Sequence, residues 1–136
     1  MNNKEQTLSI IKPDAVERNL SDEIKNIFTK NNLNILESKK IHITKDEAAE
    51  FYKVHQSKPF YNDLCSYLSS GPIEVMILEG ENAISKNREL MGATDPKSAA
   101  ENTIRKLYGI SIDKNSVHGS DSSDNAKKEI NFFFNN

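Results

Sequence analysis

The sequence predicts an α/β sandwich, an antiparallel sheet with helices packed against it. Runs of strand-forming residues alternate with segments whose apolar residues recur at helical spacing, in the order βαβααβα, a long loop, then βα. Residues Ile73 to Glu79 hold the uninterrupted apolar run V-M-I-L at their centre, as expected of a strand covered on both faces. The 136 residues contain no internal repeat, and that length suits one domain able to bury a proper core.

Each element has a local reason. Thr7 to Lys12 (T-L-S-I-I-K) reads as the first strand, stopped by Pro13. Ser21 is placed to cap a helix whose first turn carries Asp22 and Glu23 and whose apolar face is Ile24, Ile27 and Phe28. Asn31 and Asn32 end it, because asparagine tolerates the left-handed conformation. Ile35 to Ile43 reads as the second strand. Thr44 and Glu47 have the spacing of a capping box, and the helix behind them sets Ala48, Phe51, Tyr52 and His55 along one side. A further helix starts near Pro59, with Phe60, Leu64, Tyr67 and Leu68 at helical spacing, and Gly71-Pro72 breaks the chain. After the central strand, Asn82 caps a helix running through Met91. From Gly92 to Val117 the pattern thins, apart from a short helical candidate at Ala100 to Tyr108. An irregular stretch of this length inside a small domain usually carries function. The last helix spans about Ser122 to Phe134, and the asparagine-rich ends are expected to fray. Residues 1–136 thus read as a single domain with one long loop at about 92–117.

Composition narrows the functional classes. A formal net charge of -2 argues against a general nucleic-acid surface, which would need a basic face. It leaves room for an anionic small ligand, because a few cations in one cleft act locally. Cys65 is the only cysteine, so no intrachain disulfide and no cysteine-held zinc is expected. The N-terminus lacks the apolar core of a signal peptide, and no run is long enough to cross a bilayer. The expectation is a soluble, cytoplasmic domain without a membrane partner.

Several polar residues fall where helical or strand geometry points inward. Arg88 shares a side with Ile84 and Met91, and Glu129 shares one with Ala126 and Phe133. Tyr52 and His55 flank Phe51, and Lys12 ends the first strand at a sheet edge. A half-buried charge is costly unless it is paired or meets a ligand. Singly, each has a plain reading: Arg88 as a snorkelling or salt-bridged arginine, Glu129 as a surface carboxylate, Tyr52 as a core tyrosine, His42 as a strand histidine near the surface. Their joint occurrence in so short a chain points to a polar cleft. Thr94 and Arg105 add a hydroxyl and a guanidinium from the long loop. Lys12, Arg88 and Arg105 together would balance most of the charge on a nucleotide's phosphates. No glycine-rich phosphate loop occurs, so side chains would have to hold the phosphates.

His118 lies in N-S-V-H-G-S-D-S, Asn115 to Ser122. His42 and His55 make no metal motif with it, and no G-x-S-x-G elbow supports a serine triad. General base and nucleophile both remain open on the residues alone. An imidazole attacks phosphorus if one nitrogen is free and the other is held by an acceptor such as Glu129.

The same stretch resembles the N-x-x-H-G-S-D-S signature of nucleoside diphosphate kinases. Other pieces agree in order along essentially the whole chain: I-I-K-P-D-A-V at Ile10, H-x-x-K-P-F at His55, S-G-P at Ser70, E-G-E-N-A at Glu79, M-G-A-T-D-P at Met91 and T-I-R at Thr103. The resemblance implies a ferredoxin-like βαββαβ fold with added helices. It also implies ping-pong transfer of the terminal phosphoryl group, mainly from ATP, to a nucleoside diphosphate through a phosphohistidine. His118 matches the nucleophile and Glu129 the carboxylate behind it, with Lys12 and Tyr52 lining the site. His55, Arg88, Thr94 and Arg105 match phosphate contacts, Asn115 and Lys12 ribose contacts, and Phe60 the stacking surface, with Leu64 and Ile112 beside it. Mg²⁺ is implied as a bridge between phosphates and water, with no direct protein ligand. Self-association as a homohexamer is implied, with a tetramer as the alternative. Asn102, Leu107, Lys58, Lys114, Asn19 and Asp22 depart from the common family pattern, which bears on the long loop and subunit contacts rather than on matched site residues. The rival reading is a nucleotide-binding regulatory protein of the same fold without turnover.

Overall fold

The computed structural model describes residues 4–53, 56–111 and 114–134. Its elements in chain order are β1 (Lys4–Ile11), α1 (Pro13–Glu17), α2 (Ser21–Lys30), β2 (Asn34–Ile41), α3 (Lys45–Phe51), α4 (Tyr61–Leu68), β3 (Ile73–Glu81), α5 (Ala83–Met91), α6 (Ile104–Tyr108), β4 (Val117–Gly119) and α7 (Ser123–Phe134). The four strands form one antiparallel sheet in the order β2-β3-β1-β4, the ferredoxin-like arrangement. β3 is central, and Ile73 through Leu78 are all buried, as its apolar run anticipates.

Strand alternation feeds two apolar layers. Leu8, Ile10, Ile73 and Val75 pack with Ala48, Leu68 and Phe133 on one face, where α3, α4 and α7 lie. Ile11, Met76 and Leu78 pack with Ile24, Phe28 and Ile104 on the other, covered by α2, α5 and α6. Each large apolar side chain so buried contributes about 1.5–3 kcal/mol. Among the described residues, no helix is long and apolar enough to cross a membrane.

The helix ends show where local signals hold. Thr44 and Glu47 form the full capping box, side chain to backbone in both directions. Asn32 takes the left-handed conformation that ends α2. At two other ends the expected side-chain cap is not used. Leu20, not Ser21, stands at the N-cap of α2, and Ser21 is already helical. Asn82 is left-handed and makes no side-chain cap; the Glu5 carboxylate instead accepts from the Ile84 N–H at 2.9 Å. The short helix α1 is absent from the sequence reading. Pro13 both ends β1 and occupies the first helical turn, where its missing N–H costs nothing. The segment 92–117 is held partly by α6, capped by the Thr103 hydroxyl. His42 is exposed just beyond β2, with its Nε2 2.8 Å from the Ser69 carbonyl.

Candidate active site

β4 is only three residues long, and its pairing with β1 sets His118 opposite Ile10. The imidazole therefore lies on the α7 side of the sheet. Ala126 and Phe133 anchor α7 in the core, which leaves Glu129, on the same side, aimed at the strand. Glu129 Oε1 is 3.1 Å from His118 Nε2 and also accepts from the Ser120 hydroxyl at 2.8 Å. A carboxylate only accepts, so we assign the Nε2 proton to this contact, which leaves Nδ1 as the lone-pair nitrogen. Phe51 meets the imidazole edge-on, with ring centroids 5.3 Å apart, and stacks in turn on Phe132 and Phe133. These contacts fix the ring's direction.

Gly119 is required by its other face. A Cβ there would come within 2.3 Å of the Asn87 amide nitrogen and 3.0 Å of the Met91 sulfur. Gly119 thus packs closely on the Asn87 and Met91 side chains of α5 while also lining the His118 cavity.

Lys12 follows the last residue of β1 and is buried. Its ammonium donates to Asn115 Oδ1 at 3.0 Å, and the Asn115 amide donates to the Thr94 carbonyl at 3.2 Å. The end of β1, the long loop and the approach to β4 are thereby tied together. Tyr52 is buried at the end of α3. Burial first, then Cys65 and Glu129, push its phenol above the ordinary value of 10.0, while Arg105 opposes them. Tyr52 thus stays protonated and lies in the field of both the carboxylate and the arginine.

Arg88, Thr94, Arg105 and Asp121 line a cleft of about 440 Å³. Arg105 is buried and donates to the Gly92 and Val117 carbonyls, each at 3.0 Å. Its Nε has no hydrogen-bond partner among the described residues. Burial, then the neighbouring Arg88 charge, push its pKa down to about 10. A buried guanidinium pressed by a second cation is suited to receive an anion. The Asp121 carboxyl is held below its ordinary range, chiefly by a hydrogen bond from Asn125, with Arg88 contributing. A second cavity of about 370 Å³ holds His118, Glu129, Phe51 and Lys53, and Asp121 borders both.

Phe60 and Leu64 lie on the neighbouring hairpin, at the cap and in the first turns of α4. Phe60 is 43% exposed, and the Lys58 ammonium sits 5.8 Å from its ring centre. His55 and Ile112 fall outside the described residues. Among the described residues no cluster of three or more histidine, cysteine or carboxylate side chains could hold a metal.

Three positions differ from the sequence reading. The inward polar residue of α5 is Asn87, fully buried, while Arg88 is exposed in the cleft. A helix turn of 3.6 residues places both 87 and 88 near the Ile84–Met91 line, so spacing alone does not choose between them. Ser120, just ahead of α7, is a partner of Glu129 that the sequence reading did not single out. Strand alternation from His118 was the available signal. Phe51 touches the histidine directly, a contact between distant elements with no local sequence sign.

The comparisons with known proteins agree with this geometry. The family model described as nucleoside diphosphate kinase matches residues 5–136. A nucleoside diphosphate kinase of a Nitratiruptor species is 59% identical over 130 residues, covering 96% of this chain and 95% of the relative. One from Campylobacter hominis is 58% identical over the same length, with the same coverage. A crystal structure of the Aquifex aeolicus nucleoside diphosphate kinase superposes with a TM-score of 0.95 at 41% identity, covering 96% of this chain and 95% of the other. The chain belongs to the nucleoside diphosphate kinase family.

Proposed function

We propose that the protein is a phosphotransferase that moves the terminal phosphoryl group of a nucleoside triphosphate, mainly ATP, to a nucleoside diphosphate through a phosphohistidine at His118. The observation that carries this reading is the 3.1 Å contact of His118 Nε2 with Glu129, which directs Nδ1 away from the carboxylate. The Nδ1 lone pair forms a bond to the terminal phosphorus as the bond to the bridging oxygen breaks. The diphosphate leaves with that electron pair. The Nε2 proton stays between imidazole and Glu129, which stabilises the positive ring. A second diphosphate reverses the step with its own terminal oxygen.

Phosphoryl transfer depends mainly on positioning and charge stabilisation. Arg88, Arg105 and Thr94 are assigned to the phosphates, and Lys12 and Asn115 to the ribose, Lys12 also to the transferred group, an assignment supported by the shared cleft of Arg88, Thr94 and Arg105 and by the Lys12–Asn115 hydrogen bond. His55 is assigned to phosphate by its motif. Phe60, with Leu64 and Ile112, is assigned to the base; stacking alone accepts every base, since each has a π face. A Mg²⁺ ion, when bound with the nucleotide, would supply positive charge against the phosphates. The cleft suits an ion carried in by phosphates, because Glu89 and Asp121 are the carboxylates that line it and would hold the ion's shell.

The single sheet that serves both cavities supports one catalytic domain over residues 1–136. Exposed Leu107 and Ile110 in the long loop support self-association, as a homohexamer or alternatively a tetramer. A cytoplasmic location fits a nucleotide enzyme of this kind.

The test uses ATP labelled on its terminal phosphate. An acid-labile, base-stable adduct should appear on His118, and His118→Gln should abolish it. Nucleotide binding without any such adduct would instead favour the regulatory reading.

A further inference from the structure

The residue between Asn115 and Val117 has an unusual backbone. Ser116 has φ +75, and the Val117 N–H donates to the Asn115 carbonyl at 2.9 Å, which makes a three-residue γ-turn. A non-glycine residue in this region is strained and persists only when its surroundings hold it there. The turn sits between the residue paired with Lys12 and the strand that carries His118.

What holds it is visible. Ser116 is fully buried, and its hydroxyl donates to Asp14 Oδ2 at 2.8 Å. Its carbonyl accepts from the Lys12 N–H at 2.8 Å. The Asp14 side chain is 3% exposed and is engaged on both oxygens. Oδ1 accepts from the Tyr67 hydroxyl, and Oδ2 also meets Arg18 Nη2 at 3.0 Å. The Tyr67 oxygen in turn accepts from the Asp14 N–H at 2.9 Å. Burial, then the bond to Asp14, push the Tyr67 phenol well above its ordinary range, so it remains a donor. Arg18 is more than one-third exposed and contributes less, as half-solvated pairs do.

We infer that Asp14 is a positioning residue for phosphoryl transfer: through the Ser116 hydroxyl it latches the γ-turn that sets the Lys12–Asn115 pair in register with His118. This rests on the phosphohistidine reading above and extends it to a side chain that touches neither nucleotide nor imidazole. Asn115 and Lys12 report on where the nucleotide lies, and His118 on where attack begins. The turn between them sets the distance that the reaction has to close. A shift of about 1 Å in such a distance costs up to about 10²-fold in rate.

Ser116→Gly tests the latch without straining the backbone, because glycine adopts a positive φ freely while the whole hydroxymethyl group is lost. Ser116→Ala is the companion that keeps the Cβ. In single-turnover mixing with labelled ATP, both variants should form the His118 adduct about tenfold more slowly than wild type. The Kd for ADP should stay within about twofold, and the Tm of Ser116→Gly should not fall. A wild-type rate in Ser116→Gly overturns the inference. So does a loss of rate matched by equal losses of ADP affinity and Tm, which would make the hydroxyl merely structural. Failure of the wild type itself to form an adduct overturns the phosphohistidine reading, and this inference with it.

Discussion

The cavity around His118 and the cleft around Arg88 share Asp121 as a wall, yet differ in how far their side chains are already held. On the His118 side, Nε2, Glu129 and Ser120 form a closed chain of hydrogen bonds, with Phe51 against the ring. On the other side, the exposed Arg88 guanidinium makes no hydrogen bond or ion pair among the described residues, and Arg105 has an unpartnered Nε. A nucleophile has to be oriented before substrate arrives, whereas a phosphate-binding cation gains by being left for the ligand. On the proposed reading, the difference separates the side chains that would set the rate from those that would set affinity.

The largest effect is expected where that separation is sharpest. Glu129→Gln removes the charge behind the imidazole and should slow phosphorylation of His118 by about 10²-fold or more. The Kd for ADP, measured by calorimetry, should move by less than about twofold. Comparable losses in both would erase the distinction between the two cavities. Arg88→Ala should show the reverse pattern. Loss of a charge-assisted hydrogen bond to phosphate, about 1.5–3 kcal/mol, raises Kd about tenfold or more, with a smaller change in the rate at saturation.

A weaker effect concerns stability. Tyr52 has a phenol pKa raised in the folded state above the ordinary 10.0, mainly by burial. Its contribution is fully present below that value and is lost as pH rises above it, because the unfolded phenol ionises while the folded one does not. The Tm should therefore fall as pH increases beyond 10.0, and Tyr52→Phe should make the decline shallower. An unchanged alkaline slope in Tyr52→Phe would place the cause elsewhere, with Tyr67 next to test.

Much of the fold was legible because it rests on local chemistry. The capping box at Thr44 and Glu47 and the stop at Asn32 need only neighbours in sequence, and β3 declares its central place by its apolar run. The helix start at Ser21 differs by one residue, with Leu20 at the cap position and no side chain capping it, and helix ends are the least sharply encoded parts of a helix. The inward line of Ala126, Glu129 and Phe133 correctly placed the carboxylate near the core. Asn87 was missed because its neighbour Arg88 fits the same helical line and carries the more conspicuous charge. The close approach of Gly119 to Asn87 and Met91 of α5 is a contact between separate elements that no local pattern encodes. The cross-chain ties from Lys12 to Asn115 and from Asp14 to Ser116 join residues about a hundred positions apart, and only the folded sheet brings them together.

The most direct test of the central claim isolates the labelled phosphoenzyme and mixes it with unlabelled nucleoside diphosphate. The account predicts that label leaves His118 and appears one-for-one in the new triphosphate, with none transferred in His118→Gln. Label that stays on the protein, or is released as inorganic phosphate, would contradict it.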